Sequence, residues 1–325
     1  MNTKDKLIAT LKKNRGSWIS GEQLSREFTI SRAAVNKHIR NLRKAGYEIA
    51  STTNKGYCLE GGSNLLLENE IKEGLETKSF GRHEIIVLSE TDSTNTRAKD
   101  LAAQGAPEGT LVLAERQTQG RGRKGRSWLS PTGSGIYSSL ILRPRIPPSE
   151  APVITLLTAV VVAETLKSLT PLTPKIKWPN DILINGKKIA GILTEMSMEI
   201  DAVDFIIVGL GLNVNTPADG FTKELQGIAT SIFIETQKRW DRTALVREYL
   251  KQYEIYYDLF KRDGFSPIVK RWKALTDIIG REVRVDMVNK TIDGRVTDVD
   301  NDGVLILKDN AGEFHRIYSG DVIFQ

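Results

Sequence analysis

Across its first sixty residues the chain places apolar side chains at helical spacing. Leu7, Ile8 and Leu11 mark an amphipathic helix over residues 5–13, and Leu24 marks a second that ends near Phe28. Val35, Ile39 and Leu42, at i, i+4 and i+7, give a third helix one buried stripe. Ser20 followed by Gln23 is a capping box for the second helix, and Ser31 is placed to cap the third, which ends at Ala45 and Gly46. The period then drops to two: residues 47–59 alternate around Asn54 and Gly56, as a hairpin does. Three short helices and a hairpin make a winged helix-turn-helix.

Gly61, Gly62, Ser63 and Asn64 read as a linker, followed by a short helix over 65–76. Strand and helix patterns mix from residue 81 onward. Strands are expected at 84–88, 110–115, 136–142, 175–178, 181–184, 189–195 and 204–212, and helices at 95–104, 150–169, 242–262 and 266–275. Asn185 and Gly186 form a strong two-residue hairpin signal. Hairpins mixed with helices favour α+β over a doubly wound parallel sheet. From residue 277 five short alternating runs, with turns at 293–294, 301–303 and 310–312, predict a small SH3-like β-barrel. The expectation is a multidomain α+β chain: residues 1–62 the winged helix-turn-helix, 63–80 a linker, 81–275 the central domain and 276–325 the barrel.

Composition sharpens this only in places. The 325 residues exceed one ordinary core, and 40% hydrophobic with 26% charged content is that of a soluble globular chain. The single cysteine, Cys58, excludes an intramolecular disulfide and fits a reducing compartment. The apolar run 151–163 is interrupted by Pro152, Thr155 and Thr158 and stops at Glu164, which reads as too short and broken to span a bilayer. No signal-peptide pattern opens the chain, so the expected location is cytoplasmic, without a membrane partner.

Charge is more telling. Residues 1–60 hold twelve Lys and Arg against five acids, a balance of +7, whereas the whole chain is +6. The basic excess therefore belongs to the N-terminal piece. Arg32, Asn36, Arg40 and Arg43, with Lys37 beside them, lie opposite the buried stripe of the third helix. A charged stripe is often no more than a solvated face, but this one has no acid, and Arg and Asn are the side chains that read guanine and adenine edges. DNA binding is the reading the fold and charge support together.

The chemistry of the central piece begins with "GRGRKGR", residues 120–126. Gly120, Gly122 and Gly125 satisfy G-x-G-x-x-G, and residues 120–127 lie one residue from a P-loop. Both motifs need a helix directly afterwards, and the run from Ser127 through Pro131 and Gly133 to Gly135 forbids one. The loop must act as a loop. Other candidates are Asp92 with Ser93, Thr94 and Asn95; Lys177 to Asp181; Lys187 and Lys188; and Gly209, Gly211 and Asn213. Each has a plainer reading: Ser93 to Asn95 as a helix N-cap, Trp178 and Pro179 as core and turn, Lys188 as a solvated hairpin residue, Gly209 and Gly211 as marks of a twisted strand. His38, His83 and His315 are far apart, and no metal-ligand or Cys/His spacing occurs. Clustered Lys, Arg and backbone N–H with one Asp suit phosphoryl or nucleotidyl transfer.

Taken in order, "STN", "GRGRKGR", "KWPNDI", "NGKKIAGIL" and "GLGLNVN" resemble the biotin protein ligases, and with the winged helix in front the whole chain resembles the bacterial bifunctional biotin ligase and biotin operon repressors. The resemblance implies a class II synthetase-like catalytic domain. It implies ATP, magnesium and biotin as substrates and cofactors, biotinyl-5'-AMP as intermediate and corepressor, and the biotin carboxyl carrier protein, operator DNA and a second copy of the chain as partners. Residue by residue it implies Lys188, Arg123 and Arg121 as catalytic. Ser93, Thr94, Asn95, Gln117 and Gly122 join these three around biotin; Asn180, Asp181 and Asn213 face the nucleotide, with Asp181 also toward magnesium. Two alternatives stay open: an effector-binding repressor without ligase activity, and lipoyl ligation on the same fold. The glycine-rich cationic loop is expected to be mobile until it covers its anionic product.

Overall fold

The computed structural model describes residues 3–44, 46–60, 65–199, 202–287 and 290–324, so residues 61–64 and the end of the third helix at Ala45 lie outside the described residues, while 65–80 of the expected linker are described. The chain divides into two compact units, Met1–Leu67 and Glu68–Gln325.

The first unit consists of helices α1 (Thr3–Lys13), α2 (Gly21–Phe28) and α3 (Arg32–Lys44), then strands β1 (Ile49–Thr52) and β2 (Gly56–Leu59). Ser20 Oγ accepts from Gln23 N at 3.0 Å and Ser31 Oγ from Ala34 N at 3.1 Å, so both predicted caps form. Leu7, Leu11, Leu24, Val35, Ile39 and Leu42 meet in one core with Tyr47, Ile49 and Leu59 of the wing. That burial turns Arg32, Asn36, Lys37, Arg40 and Arg43 outward as an exposed face of α3. Arg43 is also braced: its Nε donates to Ile49 O and its Nη2 to Ser51 Oγ, both at 2.8 Å, tying the helix to the wing.

The second unit begins with α4 (Glu68–Glu73), shorter than expected, then β3 (Ile85–Leu88), α5 (Thr94–Ala103), β4 (Leu111–Ala114), β5 (Gly135–Leu142), α6 (Ala151–Leu169), β6 (Lys175–Lys177), β7 (Asp181–Ile184), β8 (Lys187–Glu199) and β9 (Ala202–Asn213). It continues with α7 (Ile232–Thr236), which the sequence pattern missed, and α8 (Arg242–Asp263) and α9 (Ser266–Leu275). The seven-stranded sheet runs β3-β4-β5-β9-β8-β7-β6, antiparallel except for β3 with β4. α5 covers one face, with Ala98 and Ala102 packed on Val112, Ile141, Phe205 and Ile207. α6 and α8 belong to the other layer, where Thr158 and Tyr253 pair at 3.0 Å.

One expectation needs correction. The segment Pro148–Leu169 is long and apolar enough to cross a membrane by length and composition, because Pro152 lies in the first helical turn and the two threonines are absorbed within the helix. Here it is a core helix: Thr158 returns its hydroxyl to Ile154 O, Thr155 pairs with Thr194 of β8 at 2.8 Å, and most of its apolar side chains are buried.

The chain ends in β10 (Glu282–Asp286), β11 (Thr291–Val299), β12 (Leu305–Asp309), β13 (Phe314–Ile317) and β14 (Asp321–Phe324), a five-stranded antiparallel sheet ordered β13-β12-β11-β10-β14. The Trp178 indole N–H, from the turn after β6, donates to Gly303 O beside β12 at 3.1 Å, which joins the barrel to the site-bearing end of the large sheet.

Candidate active site

The site forms on the α5 face of the large sheet, where the paired strands β8 and β9 carry three glycines close together. A Cβ on Gly209 would meet Asn95 Oδ1 at 2.3 Å; one on Gly211 would meet the Trp128 ring at 2.3 Å; one on Gly191 would meet Trp128 and Lys188 at 3.0 Å. Gly209 and Gly211 both lie inside β9, within the strand expected at 204–212. They are bare backbone on which other side chains rest, a use of strand glycine that a twisted strand alone does not require. Trp128 lies across this floor with Lys188 Nζ 5.4 Å from its ring centroid.

At one end the pocket is neutral. Ser93 precedes α5 without capping it; the Gln117 side chain does that instead, its Oε1 accepting from Thr94 N at 2.8 Å and Thr94 Oγ1 at 3.1 Å. Gln117 Nε2 is held by Ser130 Oγ at 3.0 Å. Ser139 on β5 reaches both Thr94 Oγ1 (2.8 Å) and Asn95 Oδ1 (2.6 Å), and Asn95 Nδ2 donates to Glu195 Oε2 at 2.6 Å. Ser93, Thr94 and Asn95 are each at least 95% buried, so this wall is a fixed set of donors and acceptors rather than a solvated helix start.

The other end is cationic. The basic loop folds as a narrow hairpin: Trp128 N donates to Gly120 O, Gly122 N to Arg126 O, and Lys124 and Gly125 turn the chain at φ 55° and 73°. A Cβ on Gly120 would come within 2.5 Å of Trp128 O, which explains the glycine. No α-helix follows, as the sequence requires. Arg121 points to Glu195 Oε2 at 3.3 Å; Arg123 donates to Asn180 Oδ1 at 3.0 Å; Lys188 Nζ pairs with Asp181 Oδ1 at 2.7 Å. Lys124 and Arg126 instead reach Asp321 of β14, Lys124 at 3.3 Å. Burial lowers the pKa of the Arg123 guanidinium, partly offset by Asp321 and Asp181, and burial likewise lowers that of Lys177.

These two ends line one cavity of about 40 Å³, Ser93, Thr94, Asn95 and Gln117 from the neutral end and Arg121, Gly122, Arg123, Asn180 and Lys188 from the cationic one. That volume holds a few waters.

Asn213 is the sequence-predicted site residue that the fold uses differently. It is 95% buried and its Nδ2 donates to Thr230 O at 3.0 Å, fastening the segment that leads into α7, and it is absent from the cavity lining. Asp181 reaches the site through Lys188. Trp178, by contrast, follows its plainer reading as a core aromatic. Sequence reasoning missed Ser139, Glu195, Trp128 and Gly191. Among the described residues one group with metal-ligand spacing occurs, Asp309, Glu313 and His315, but Asp309 already accepts from Ala311 N, Glu313 N and His315, and the group lies on a barrel turn.

A cationic end, a neutral end and a glycine floor describe a pocket for a ligand with an anionic tail and a neutral hydrogen-bonding head. Known proteins agree. The biotin/lipoate A/B protein ligase family matches residues 87–213, an HTH domain matches 3–58, and the biotin protein ligase C terminal domain matches 278–325. The bifunctional ligase/repressor BirA of Bacillus subtilis is 43% identical over 318 residues, covering 97% of both chains; that of Escherichia coli is 33% identical over 306 residues, covering 93% of this chain and 91% of its own. The biotin protein ligase from Aquifex aeolicus in complex with biotin and ATP superposes with a TM-score of 0.65 at 31% identity, over 75% of this chain and 99% of its own. The chain thus belongs to the family of bifunctional biotin ligase/repressors.

Proposed function

We propose that this protein activates biotin with ATP, transfers it to a lysine of a biotin carboxyl carrier protein, and represses transcription through its N-terminal unit when it holds the activated intermediate. The observation that carries the enzymatic reading is the convergence of Arg121, Arg123 and Lys188 on one cavity whose opposite wall is neutral, with Thr94, Asn95 and Gln117 held by hydrogen bonds.

In the first half-reaction a biotin carboxylate oxygen attacks the α-phosphorus of ATP; the bond to the β-phosphate bridge breaks and pyrophosphate leaves. Two anions must approach, and fixed cations offset their repulsion. Lys188 is held by Asp181 and Arg123 by Asn180, so each is preplaced at little further entropy cost. As the ligand carboxylate and phosphate arrive, Lys188 exchanges Asp181 for them. In the second half-reaction the carrier lysine amine attacks the acyl carbon, loses a proton and releases AMP; the same cations stabilise the departing phosphate.

Ser93, Thr94, Asn95 and Gln117 bind the ureido end. Asn180 and Asp181 face the nucleotide, and Asn213 acts on that side by fastening the 229–231 segment. Asp181, the carboxylate beside Lys188, is the residue that would hold a magnesium ion brought in with the triphosphate. The ion would supply charge neutralisation there.

Repression follows from linkage: an intermediate that orders loops at the face between two copies favours the dimer and hence paired half-sites. The exposed face of α3 with Arg32, Asn36, Lys37 and Arg40 enters the major groove.

The test is biotin-dependent pyrophosphate release followed by labelling of an acceptor domain. Wild type performs both, and Lys188→Ala lowers adenylate formation by about 10²–10³-fold with an unchanged circular dichroism spectrum. Normal turnover by that variant removes Lys188 from the mechanism. Adenylation of lipoate in preference to biotin would transfer the reading to the lipoyl alternative.

A further inference from the structure

Glu195 belongs to no motif, yet it lies where the two ends of the pocket meet. It projects from β8, and its Oε2 accepts both from Asn95 Nδ2 at 2.6 Å and from Arg121 Nη2 at 3.3 Å. Asn95 Nδ2 also reaches Leu193 O at 3.3 Å, while Asn95 Oδ1 accepts from Ser139 Oγ at 2.6 Å. An amide has two nearly identical ends, and its neighbours decide which way it faces. A carboxylate and a carbonyl only accept, so both demand the NH₂ end. Oδ1 is left resting over Gly209, where it still has one lone pair beyond the bond from Ser139. Asn95 is 96% buried, so turning it over would set its oxygen against two acceptors and leave its NH₂ poorly paired.

We propose that Glu195 is a positioning residue that fixes the Asn95 amide with its oxygen toward the ligand, so that this end of the pocket demands an N–H donor. Specificity follows. A cyclic urea offers N–H groups to Oδ1, whereas the dithiolane ring of lipoate offers none and leaves a buried acceptor unpaired. Sites built around such a hydrogen bond reject analogues lacking it far more strongly than apolar pockets reject a change of shape. Arg121 shares Glu195 Oε2 only at the longer 3.3 Å and with 44% of its side chain exposed, so the contact with Asn95 is the stronger of the two. The inference rests on the biotin ligase reading above.

Steady-state adenylation by the full-length protein tests it, with biotin, ATP and lipoate varied in turn for wild type, Glu195→Ala, Glu195→Gln, Glu195→Leu, Asn95→Ala and the double variant Asn95→Ala/Glu195→Ala. Glu195→Ala is expected to raise KM for biotin about tenfold or more, the effect of one buried hydrogen bond lost. KM for ATP, and kcat at saturating biotin, stay within about threefold of wild type. The preference for biotin over lipoate in kcat/KM falls by a similar factor, and the double variant is no worse than Asn95→Ala, since both act through one group. Glu195→Gln, whose amide oxygen can stand where Oε2 does and accept from Asn95 Nδ2, recovers most of the biotin KM, and Glu195→Leu, which keeps the bulk without an acceptor, carries the test if the alanine variant unfolds. An unchanged KM for biotin in the alanine and leucine variants, an equal rise in KM for ATP, or additive losses in the double variant overturns the proposal. Failure of the wild type to adenylate biotin would instead count against the function itself.

Discussion

Gly209 shows how much of this site is decided by single atoms. Asn95 Oδ1 occupies the place where a Cβ on Gly209 would stand, 2.3 Å away, and Asn95 is held from three other directions by Ser139, Leu193 and Glu195. Gly209→Ala therefore leaves β9 intact, since the backbone there is ordinary strand, but forces the Asn95 amide off its partners. The expected outcome is a loss of biotin affinity by an order of magnitude or more, about 1–3 kcal/mol for a displaced buried polar group, with a thermal midpoint lowered by only a few degrees. Calorimetric titration of biotin into the variant reads the first and a thermal melt the second; wild-type affinity would mean that Asn95 does not touch the ligand. The residues that the sequence revealed are those whose chemistry is concentrated locally: cations interleaved with glycine, Ser-Thr-Asn before a helix, Lys188 after Asn185 and Gly186. Ser139 and Glu195 escaped because each is a lone polar residue in a long strand, and only a three-dimensional neighbour gives it a role. Their one sequence signal was polarity out of step with its surroundings: Ser138 and Ser139 inside a strand buried along its whole length, and Glu195 within the apolar run of β8.

At the scale of elements, periodicity placed the strands and every helix but α7 within a few residues, whereas the anchoring of the basic hairpin was invisible, since Lys124 and Arg126 find Asp321 nearly two hundred residues away. Composition suggested a mobile loop; the fold gives it a fastening to the barrel. Burial alone pushes the pKa of Asp321 up, but Lys124 and Arg126 outweigh it and hold the carboxyl below its ordinary value. A carboxyl whose pKa is depressed on folding contributes stability that is fully present above its unfolded pKa, about 3.9, and is lost as the pH falls through the lower folded value. Asp321→Asn should thus cost about 1 kcal/mol at neutral pH, the scale of partly exposed ion pairs. The difference from wild type should stay flat from about pH 5 upward and close only below the usual carboxylate range. Thermal melts across that series measure it, and a gap that opens or closes near neutrality would assign the effect to another group. At neutral pH the same variant should be cut faster by trypsin within residues 121–126, because the hairpin has lost its tie to β14.

For the whole molecule, the division at Leu67 separates a strongly basic unit from a remainder close to neutral, so DNA affinity and catalysis should be removable one at a time. Deleting residues 1–67 is expected to abolish operator binding while biotin-dependent pyrophosphate release persists. Within the first unit a finer distinction follows from the two arginines of α3. Arg40 is exposed on the face opposite Ile39, free to meet a phosphate or a base edge, while Arg43 spends its Nε and Nη2 on Ile49 O and Ser51 Oγ. If Arg40 meets a phosphate, Arg40→Ala should flatten the dependence of log affinity on log salt by about one unit and leave the melting of the unit unchanged. Arg43→Ala should act through the wing, lowering the thermal midpoint because two bonds between helix and hairpin are lost, with a smaller change in the salt slope. Affinities measured at several salt concentrations, beside melts of the same variants, separate the cases. Equal slope changes would mean that Arg43 leaves the wing to meet DNA, and that the brace holds only until the groove is engaged.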